Sequence, residues 1–549
     1  MQASSETGSA AMRRLLIASL LGGACATAHG QALPPLPDSG ALQRSQQQQQ
    51  EFLTTPVQPP QPVRPVISDE QAPQDNGLSP ASTVRFTLEN LIFTPSHYLS
   101  DADLQAIARK YVRQQVTYDD LQEILSEVNA LYRQHRIFTA RAILPPQRVA
   151  NGIVHIELVE GNLGESSIQG NEATRASWIN GWLEMPPGQP LDTGELERRI
   201  ELFNHVNTVQ LDARLRPGQS FGVTDLAIQA TEPQRYQLQL FADNMGAPSV
   251  GGNEVGMSGA IDNPLGIGDL LGLYYVHSHG SDSGALNYSL PVNRSGGRLG
   301  LSLGSLSSHV TSGPYQDFDV NGRSRSARLQ FSQPVARLGA WWLDGMASGG
   351  ITRSSNDILG IDLGNNTVRT ASVGLTALGL YDTRSFSLAL THSYHSICSD
   401  TESSRHAQTW NLNGSWTQKI TNSDYSVVRV GAQKTNSGQL NSSLAMQIGG
   451  AATVRGYTLG AIAGDDGYWA NLEWHHRLFN RVTGYAFADA GGVHTPDIPS
   501  QQVASVGLGL DVSLLKDVQL NVVAARTLKT VTADQDRWQV TARLSWQVF

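Results

Sequence analysis

The chain has 549 residues, a formal net charge of −9, 16% charged residues and two cysteines. That length leaves room for several domains, and the acidic balance carries no footprint for a nucleic-acid partner. Beyond the N-terminus no apolar run is long enough to cross a bilayer as a helix. A membrane-spanning form of this chain would have to be a closed barrel, the other structure that satisfies its backbone in lipid.

Residues 1–30 read as a signal peptide. Arg13 and Arg14 form its basic region, Leu15 to Ala24 its apolar core, and Ala26-Thr27-Ala28 or Ala28-His29-Gly30 a small-residue cleavage site. Leu21 stands one place too early to make a lipoprotein box with Cys25, and cleavage leaves Cys398 alone, without a disulfide partner. In residues 31–55, Asp38 or Ser39 can cap a helix through the run Gln46 to Gln50 and on to Phe52 and Leu53. Such a helix has little apolar surface and is marginal alone in water; composition slightly favours an unstructured tail. Residues 56–82, rich in Pro and Gln, read as a semi-extended linker.

From residue 83 the pattern changes. Arg85 to Leu88 alternates like a strand, Ser100 opens a helix, and Thr117 opens a second with Leu121, Ile124, Leu125, Val128 and Leu131 at helical spacing. Phe138–Leu144 and Ile153–Val159 follow as strands. The order strand, helix, helix, strand, strand then recurs between residues 161 and 232, with helices near Ala173–Leu183 and Leu191–Phe203 and strands near Val209–Leu215 and Val223–Ala230. The two stretches are therefore expected to be α+β modules of one type, spanning 83–160 and 161–232. Sheet edges in such modules either accept an extended chain by strand addition or act as spacers.

After Glu232-Pro233 only the two-residue period remains. Tyr236, Leu238 and Leu240, Leu299 to Leu303, Phe386 to Leu390, Trp410 to Trp416 and Trp538 to Val548 alternate with polar residues, and turns rich in Gly, Asn, Asp and Ser separate them. Residues 233–549 suit a transmembrane antiparallel β-barrel of about sixteen strands at the usual spacing. The apolar positions of the last segment run out of step with the terminal Phe549.

Within this region lies Thr453-Val454-Arg455-Gly456-Tyr457, in a run rich in Gly and Ala between two alternating segments. Phe487-Ala488-Asp489-Ala490-Gly491 follows inside a strand. An arginine in a connecting loop and a carboxylate in a barrel wall are each costly without a partner, so a salt bridge between Arg455 and Asp489 is one reading. A loop arginine in water and an aspartate facing a wet lumen is the plainer one.

Together the V-R-G-Y of Val454, Arg455, Gly456 and Tyr457 and the F-x-D-x-G of Phe487, Asp489 and Gly491 resemble the two-partner secretion transporters of the Omp85 superfamily. Asp243-Asn244-Met245-Gly246 and Asn263-Pro264-Leu265-Gly266-Ile267-Gly268-Asp269 look like further landmarks of that family. The resemblance implies an outer-membrane translocator with two periplasmic POTRA domains before a sixteen-strand barrel. It implies a lumen loop whose arginine contacts the strand aspartate, and an N-terminal helix that plugs the pore. The partners it implies are a secreted exoprotein such as an adhesin or haemolysin, outer-membrane lipid, and the barrel-assembly machinery during biogenesis. A barrel-assembly insertase shares both motifs and is the alternative; two modules, the helix and the proline-rich tether argue against it.

No enzyme, cofactor or metal site is expected. Gly300-Leu301-Ser302-Leu303-Gly304 has the spacing of a nucleophile elbow, yet the alternation runs straight through it where an elbow needs a sharp turn. His475 and His476 are adjacent and should point to opposite faces of a strand, and no phosphate-binding loop is present.

Overall fold

The computed structural model describes residues 38–54, 67–69, 84–137, 139–220, 222–400, 403–436, 440–531 and 535–549. The expected signal segment lies outside these, as does most of the expected linker. Module 1 begins with the short strand β2 (Phe86–Thr87), which pairs with β4 (Gln115–Val116). Its main sheet runs β3 (Asn90–Phe93), β6 (Ile153–Glu160), β5 (Ala140–Ile143). The strand expected at 85–88 thus stops short. Leu88 is fully buried in the core, and the chain enters the sheet two residues later, in parallel with β6.

Two helices cover this sheet. In α2 (Asp101–Tyr111) the Ser100 side chain caps the Asp103 amide. In α3 (Tyr118–Gln134) Thr117 and Asp120 form a reciprocal capping box, which satisfies two otherwise orphaned donors. Leu121, Ile124, Leu125 and Val128 of α3 are buried against the sheet, each contributing about 1.5–3 kcal/mol by leaving water.

Module 2 repeats the order with β7 (Asn162–Gln169), α4 (Ala176–Leu183), α5 (Thr193–Val206), β8 (Gln210–Pro217) and β9 (Val223–Thr231). Its core of Ile179, Trp182, Leu196, Ile200 and Phe203 is separate from that of module 1. One element was not legible in the sequence. Ile67–Asp69, inside the expected linker, forms β1 and pairs in parallel with β8 at the edge of the module 2 sheet.

Sixteen antiparallel strands from β10 (Tyr236–Asp243) to β27 (Trp538–Gln547) close into a barrel, β10 pairing with β27. Alternation decides which face each residue occupies. Leu301, Leu303, Leu388, Leu390, Trp410, Val540 and Trp546 lie exposed on the outside, while Ser324, Asn471 and Arg543 are buried inside. Ser302 sits in the straight strand β14 (Arg298–His309), partly buried, with no turn at its position.

A polar helix, α1 (Ser39–Thr54), lies in the lumen. Asp38 caps it by accepting from the Ala41 amide at 2.8 Å. Ser39, Gln43, Ser45, Gln46 and Gln49 are all buried, a composition stable inside a barrel only because the lining is polar as well.

Module 2 docks on the turns at one end of the barrel. The Asn263–Asp269 turn holds its own shape through Asn263 N–H to the Asp269 carbonyl at 2.7 Å and Gly268 N–H to Asn263 Oδ1 at 2.7 Å. It also accepts the Arg175 amide on the Gly266 carbonyl at 3.0 Å. Gly268 has φ +77°, and a Cβ there would strike the Trp178 ring of α4 at 2.4 Å, so both conformation and close approach need glycine. Arg294 with Glu184 at 2.7 Å and His205 with Asp344 at 3.0 Å, the imidazole stacked on Trp342, extend this contact.

Candidate functional site: a lumen loop against the barrel wall

Strand β20 (Asp424–Thr435) leads, at the end opposite module 2, into a connection that folds back into the lumen before β23 (Asp466–Phe479). The connection carries a small hairpin of β21 (Met446–Ile448) and β22 (Ile462–Gly464). Met446, Ile448, Val454, Tyr457 and Ile462 bury themselves against Trp469 and Val493 of the wall. Val454 is fully buried, so this loop has its own apolar seat.

The loop tip is held from both sides. The Thr453 hydroxyl accepts the Gly449 amide at 2.8 Å, and Asn471 Nδ2 donates to the Thr453 carbonyl at 2.5 Å. The Tyr457 hydroxyl donates toward the carbonyls of Ala504 at 2.9 Å and Lys529 at 2.7 Å. Gly456 has φ +87°, where a side chain would be strained, and Ala525 crowds its position.

Between these anchors the structure places Arg455 against Asp489 of β24 (Val482–Thr495). Arg455 Nε donates to Asp489 Oδ2 and Nη2 to Oδ1, both at 2.7 Å, and the Arg455 amide adds a bond to Oδ2 at 3.0 Å. The Asp489 side chain is wholly buried. Phe487 lies beneath the guanidinium, with Cζ 3.7 Å from the ring centroid. Two parallel N–H···O bonds and a ring under the cation use the planar fork in the way lysine could not. Gly491 leaves room for the loop: a Cβ there would meet Val454 Cγ2 at 3.2 Å and Ile448 at 3.1 Å.

The sequence reading missed the third charge. Glu473 on β23 accepts Arg455 Nη1 at 2.7 Å and Arg429 Nη1 at 3.1 Å, with His475 Nε2 at 2.9 Å from its other oxygen. The signal was available. Leu472 and Trp474 point outward and are exposed, so the period of two puts Asn471, Glu473 and His475 on the inner face. His475 lies between the Tyr425 and Tyr485 rings, and His476 pairs with Asp424 at 2.7 Å. Among the described residues no group of three metal-ligating side chains converges.

A second station of the same design sits at the barrel seam. Phe241-Ala242-Asp243 repeats Phe487-Ala488-Asp489, and Arg543 of β27 lies 3.7 Å from the Phe241 centroid and donates to Asp243 Oδ2 at 2.9 Å. Asp243 and Arg543 are direct cross-strand partners, so this buried pair joins the first and last strands. Beyond it the Asn244 side chain continues the ladder, accepting the Ala542 amide at 2.8 Å and donating to the Val540 carbonyl at 3.0 Å. Each phenylalanine lies over a glycine of the next strand: Phe241 over Gly256 and Phe487 over Gly507, where a Cβ would be 2.3 and 2.4 Å from the ring.

The lumen helix meets this wall. Arg44 of α1 donates to Gln433 Oε1 at 2.9 Å and to carbonyls at Leu444 and Ala445, and the Phe52 ring lies 4.9 Å from the Arg429 guanidinium carbon. Helix, loop and wall share Arg429 and Glu473 as a common node.

A closed barrel with an apolar exterior, a polar helix in its lumen, an inward loop and two modules at one end defines an outer-membrane β-barrel protein of the kind that handles other polypeptides. Residues 222–512 match the family described as haemolysin secretion/activation protein ShlB/FhaC/HecB, and residues 86–161 match its ShlB-type POTRA domain. The chain belongs to that family: it is a two-partner secretion transporter of the outer membrane, with its POTRA modules in the periplasm, and its partner is a secreted exoprotein.

Among relatives, the chain is 23% identical to the heme/hemopexin transporter protein HuxB of Haemophilus influenzae strain 86-028NP, over 80% of this chain and 82% of that one. It is 25% identical to the outer membrane transporter CdiB of Dickeya dadantii, over 84% and 86%. The solved structure of CdiB from Escherichia coli has the same fold, with a TM-score of 0.72 at 19% identity over 94% of this chain and all of that one. The family match decides for the transporter over the barrel-assembly insertase.

Proposed function

We propose that α1 and the Arg455 loop together hold the resting pore shut, and that the two modules capture the unfolded exoprotein and hand it to the lumen once the plug has moved. The observation that carries this reading is the shared node at Glu473 and Arg429, through which the loop arginine and the plug's Phe52 touch the same stretch of wall. The residues assigned to the site are Val454, Arg455, Gly456 and Tyr457 on the loop, Phe487, Asp489 and Gly491 on the wall, and Glu473 and Arg429 beside them. Val454 and Tyr457 seat the loop, Arg455 and Asp489 lock it, and Phe487 carries the guanidinium.

Net movement needs no nucleotide in this scheme. An exoprotein that folds outside is withdrawn from the translocation equilibrium, and backsliding becomes unfavourable. Lipid surrounds the apolar exterior, and the barrel-assembly machinery inserts the protein.

Planar-bilayer conductance of the full chain against a variant lacking residues 31–80 tests the proposal. A small fluctuating conductance that becomes larger and steady on deletion supports the plug; equal conductance in both forms refutes it. Secretion by Asp489→Ala then tests the lock.

A further inference from the structure

Four arginines cluster on the outside of the barrel, at the rim away from module 2. We propose that Arg323, Arg325, Arg353 and Arg369 bind the phosphates of a bisphosphorylated, multiply acylated glycolipid of the outer leaflet; this deepens the lipid contact proposed above and rests on it.

The four lie on three neighbouring strands, β15 (Val320–Leu338), β16 (Trp341–Ile358) and β17 (Ile361–Tyr381). Their sequence neighbours fix which way they face. Ser324, between Arg323 and Arg325, is buried and its hydroxyl donates to Gln43 of α1 at 2.5 Å. Ser354, beside Arg353, is buried too, and Thr370, beside Arg369, meets the buried His395 at 3.0 Å. Successive side chains on a strand point to opposite sides, so all four arginines face away from the lumen, and all are exposed. Register brings them together. Arg325 is directly opposite Arg353, Arg323 is two residues along β15, and Arg369 is opposite Ile351, two residues from Arg353. Each is thus a same-face neighbour of the next, with Cβ atoms about 5–8 Å apart.

Their height is that of headgroups on the cell surface. The other ends of these strands meet the periplasmic module 2, where Arg337 pairs with Glu201 and Asp344 with His205. Arg325 stands twelve residues before Arg337 on β15. At about 3.4 Å per residue and a tilt of about 40°, they are about 30 Å apart along the barrel axis, against about 25 Å for the apolar band. Between these levels the outer face of β15 carries Leu329 and Phe331, and that of β17 carries Val373 and Leu375, all exposed.

Such a cluster is unfavourable in the protein alone, because like charges directly opposite each other destabilise a sheet. Elsewhere on the outer face cations have partners: Lys434 pairs with Asp466, and Arg526 lies over the Trp538 ring at 5.9 Å. Here, among the described residues, none of the four makes an ion pair, and Arg369 Nη1 reaches only Cys398 Sγ at 3.9 Å. The guanidinium fork matches phosphate oxygens two at a time, so four forks across three strands suit two phosphates. A bisphosphorylated glycolipid supplies both, and its acyl chains lie against Leu329, Phe331, Val373 and Leu375. A phospholipid with one phosphate leaves half of the cluster unmatched. The same strands seat α1 on their inner face, through Ser324 and through Asn356, which accepts the Ser39 amide at 3.0 Å. The lipid therefore braces from outside the sector of wall that the helix touches from inside.

The probe is diphosphoryl lipid A, titrated onto the full chain in detergent and followed by native mass spectrometry, with phosphatidylglycerol and inorganic pyrophosphate as comparison ligands. A quadruple variant carries Arg323→Gln, Arg325→Gln, Arg353→Gln and Arg369→Gln; Arg353→Gln alone is the second variant, and Arg526→Gln the control. The quadruple variant should bind lipid A about a hundredfold more weakly and Arg353→Gln about fivefold, with Arg526→Gln unchanged. Bound lipid A should raise the melting temperature of the native barrel and leave that of the quadruple variant where it was. Without lipid the quadruple variant should melt no lower than the native chain, because the repulsion is gone. Equal binding of lipid A by native chain and quadruple variant overturns the site. So does binding of phosphatidylglycerol or pyrophosphate to the native chain as tightly as lipid A. Should the quadruple variant not fold, an unchanged affinity in Arg353→Gln overturns it alone. Failure of the native chain to insert into lipid vesicles would instead overturn the lipid contact itself, and this inference with it.

Discussion

Replacing Asp489 by asparagine removes the charge from the most enclosed member of the Arg455 cluster while keeping its shape. In the native chain Arg455 gives Asp489 two side-chain bonds at 2.7 Å and a backbone bond at 3.0 Å, with the carboxylate wholly buried. Breaking a buried pair by removing one partner costs about 3–5 kcal/mol. Arg455 keeps Glu473 at 2.7 Å, which places this substitution at the lower end, about 3 kcal/mol. At 1.4 kcal/mol per factor of ten, the docked loop should lose about a hundredfold in its equilibrium against the undocked one.

Hydrogen exchange of the detergent-solubilised protein reads this directly. Protection of amides in 449–457 should fall about a hundredfold in Asp489→Asn, with the barrel strands unaffected. Glu473→Gln should do less, because it leaves the bidentate pair whole. The double variant strands the guanidinium without a carboxylate, so its effect should exceed the sum of the singles. Protection within threefold of the native value in Asp489→Asn, or a larger effect of Glu473→Gln alone, would refute this assignment of the lock.

Gly507→Val should displace Phe487, because the new Cβ would sit 2.4 Å from the ring and 2.2 Å from the Ala524 carbonyl; loss of the heat-modifiable folded band on gels is the readout. Arg543→Gln should destabilise the seam by about 3 kcal/mol, since Asp243 is left buried and the first and last strands share only five paired positions; the barrel's melting temperature should drop while module 1 melts as before. In module 1 Glu160 is partly desolvated, which raises its carboxyl, but bonds from Ser96, the His97 amide and ring and Tyr132 outweigh this and hold it below its ordinary 4.5. A carboxylate whose folded value is depressed stabilises above its unfolded value and loses that contribution as pH falls through the folded one. Exchange protection of 84–160 should therefore drop on acidification below pH 4.5, and Glu160→Gln should flatten that drop.

Much of this protein is written locally. Alternation of Leu301 and Leu303 or of Trp538 and Val540 already assigns an outer face, because side chains two residues apart on a strand share one side and lipid accepts only apolar ones. Thr117 with Asp120 marks a helix start through bonds within three residues. The site is different in kind. Arg455 and Asp489 are thirty-four positions apart, and nothing in either stretch shows that the connection turns back into the lumen. Its inward course is fixed by burial of Val454 and Tyr457 against Trp469 and Val493, a match of surfaces that exists only once the barrel has closed. The same holds for Arg543 meeting Asp243 across 300 positions and for Ile67 finding β8. Sequence alone determined which residues could face lipid, water or a core; the tertiary structure decided which charges meet, because a buried ion pair depends on the partner that closure brings to it.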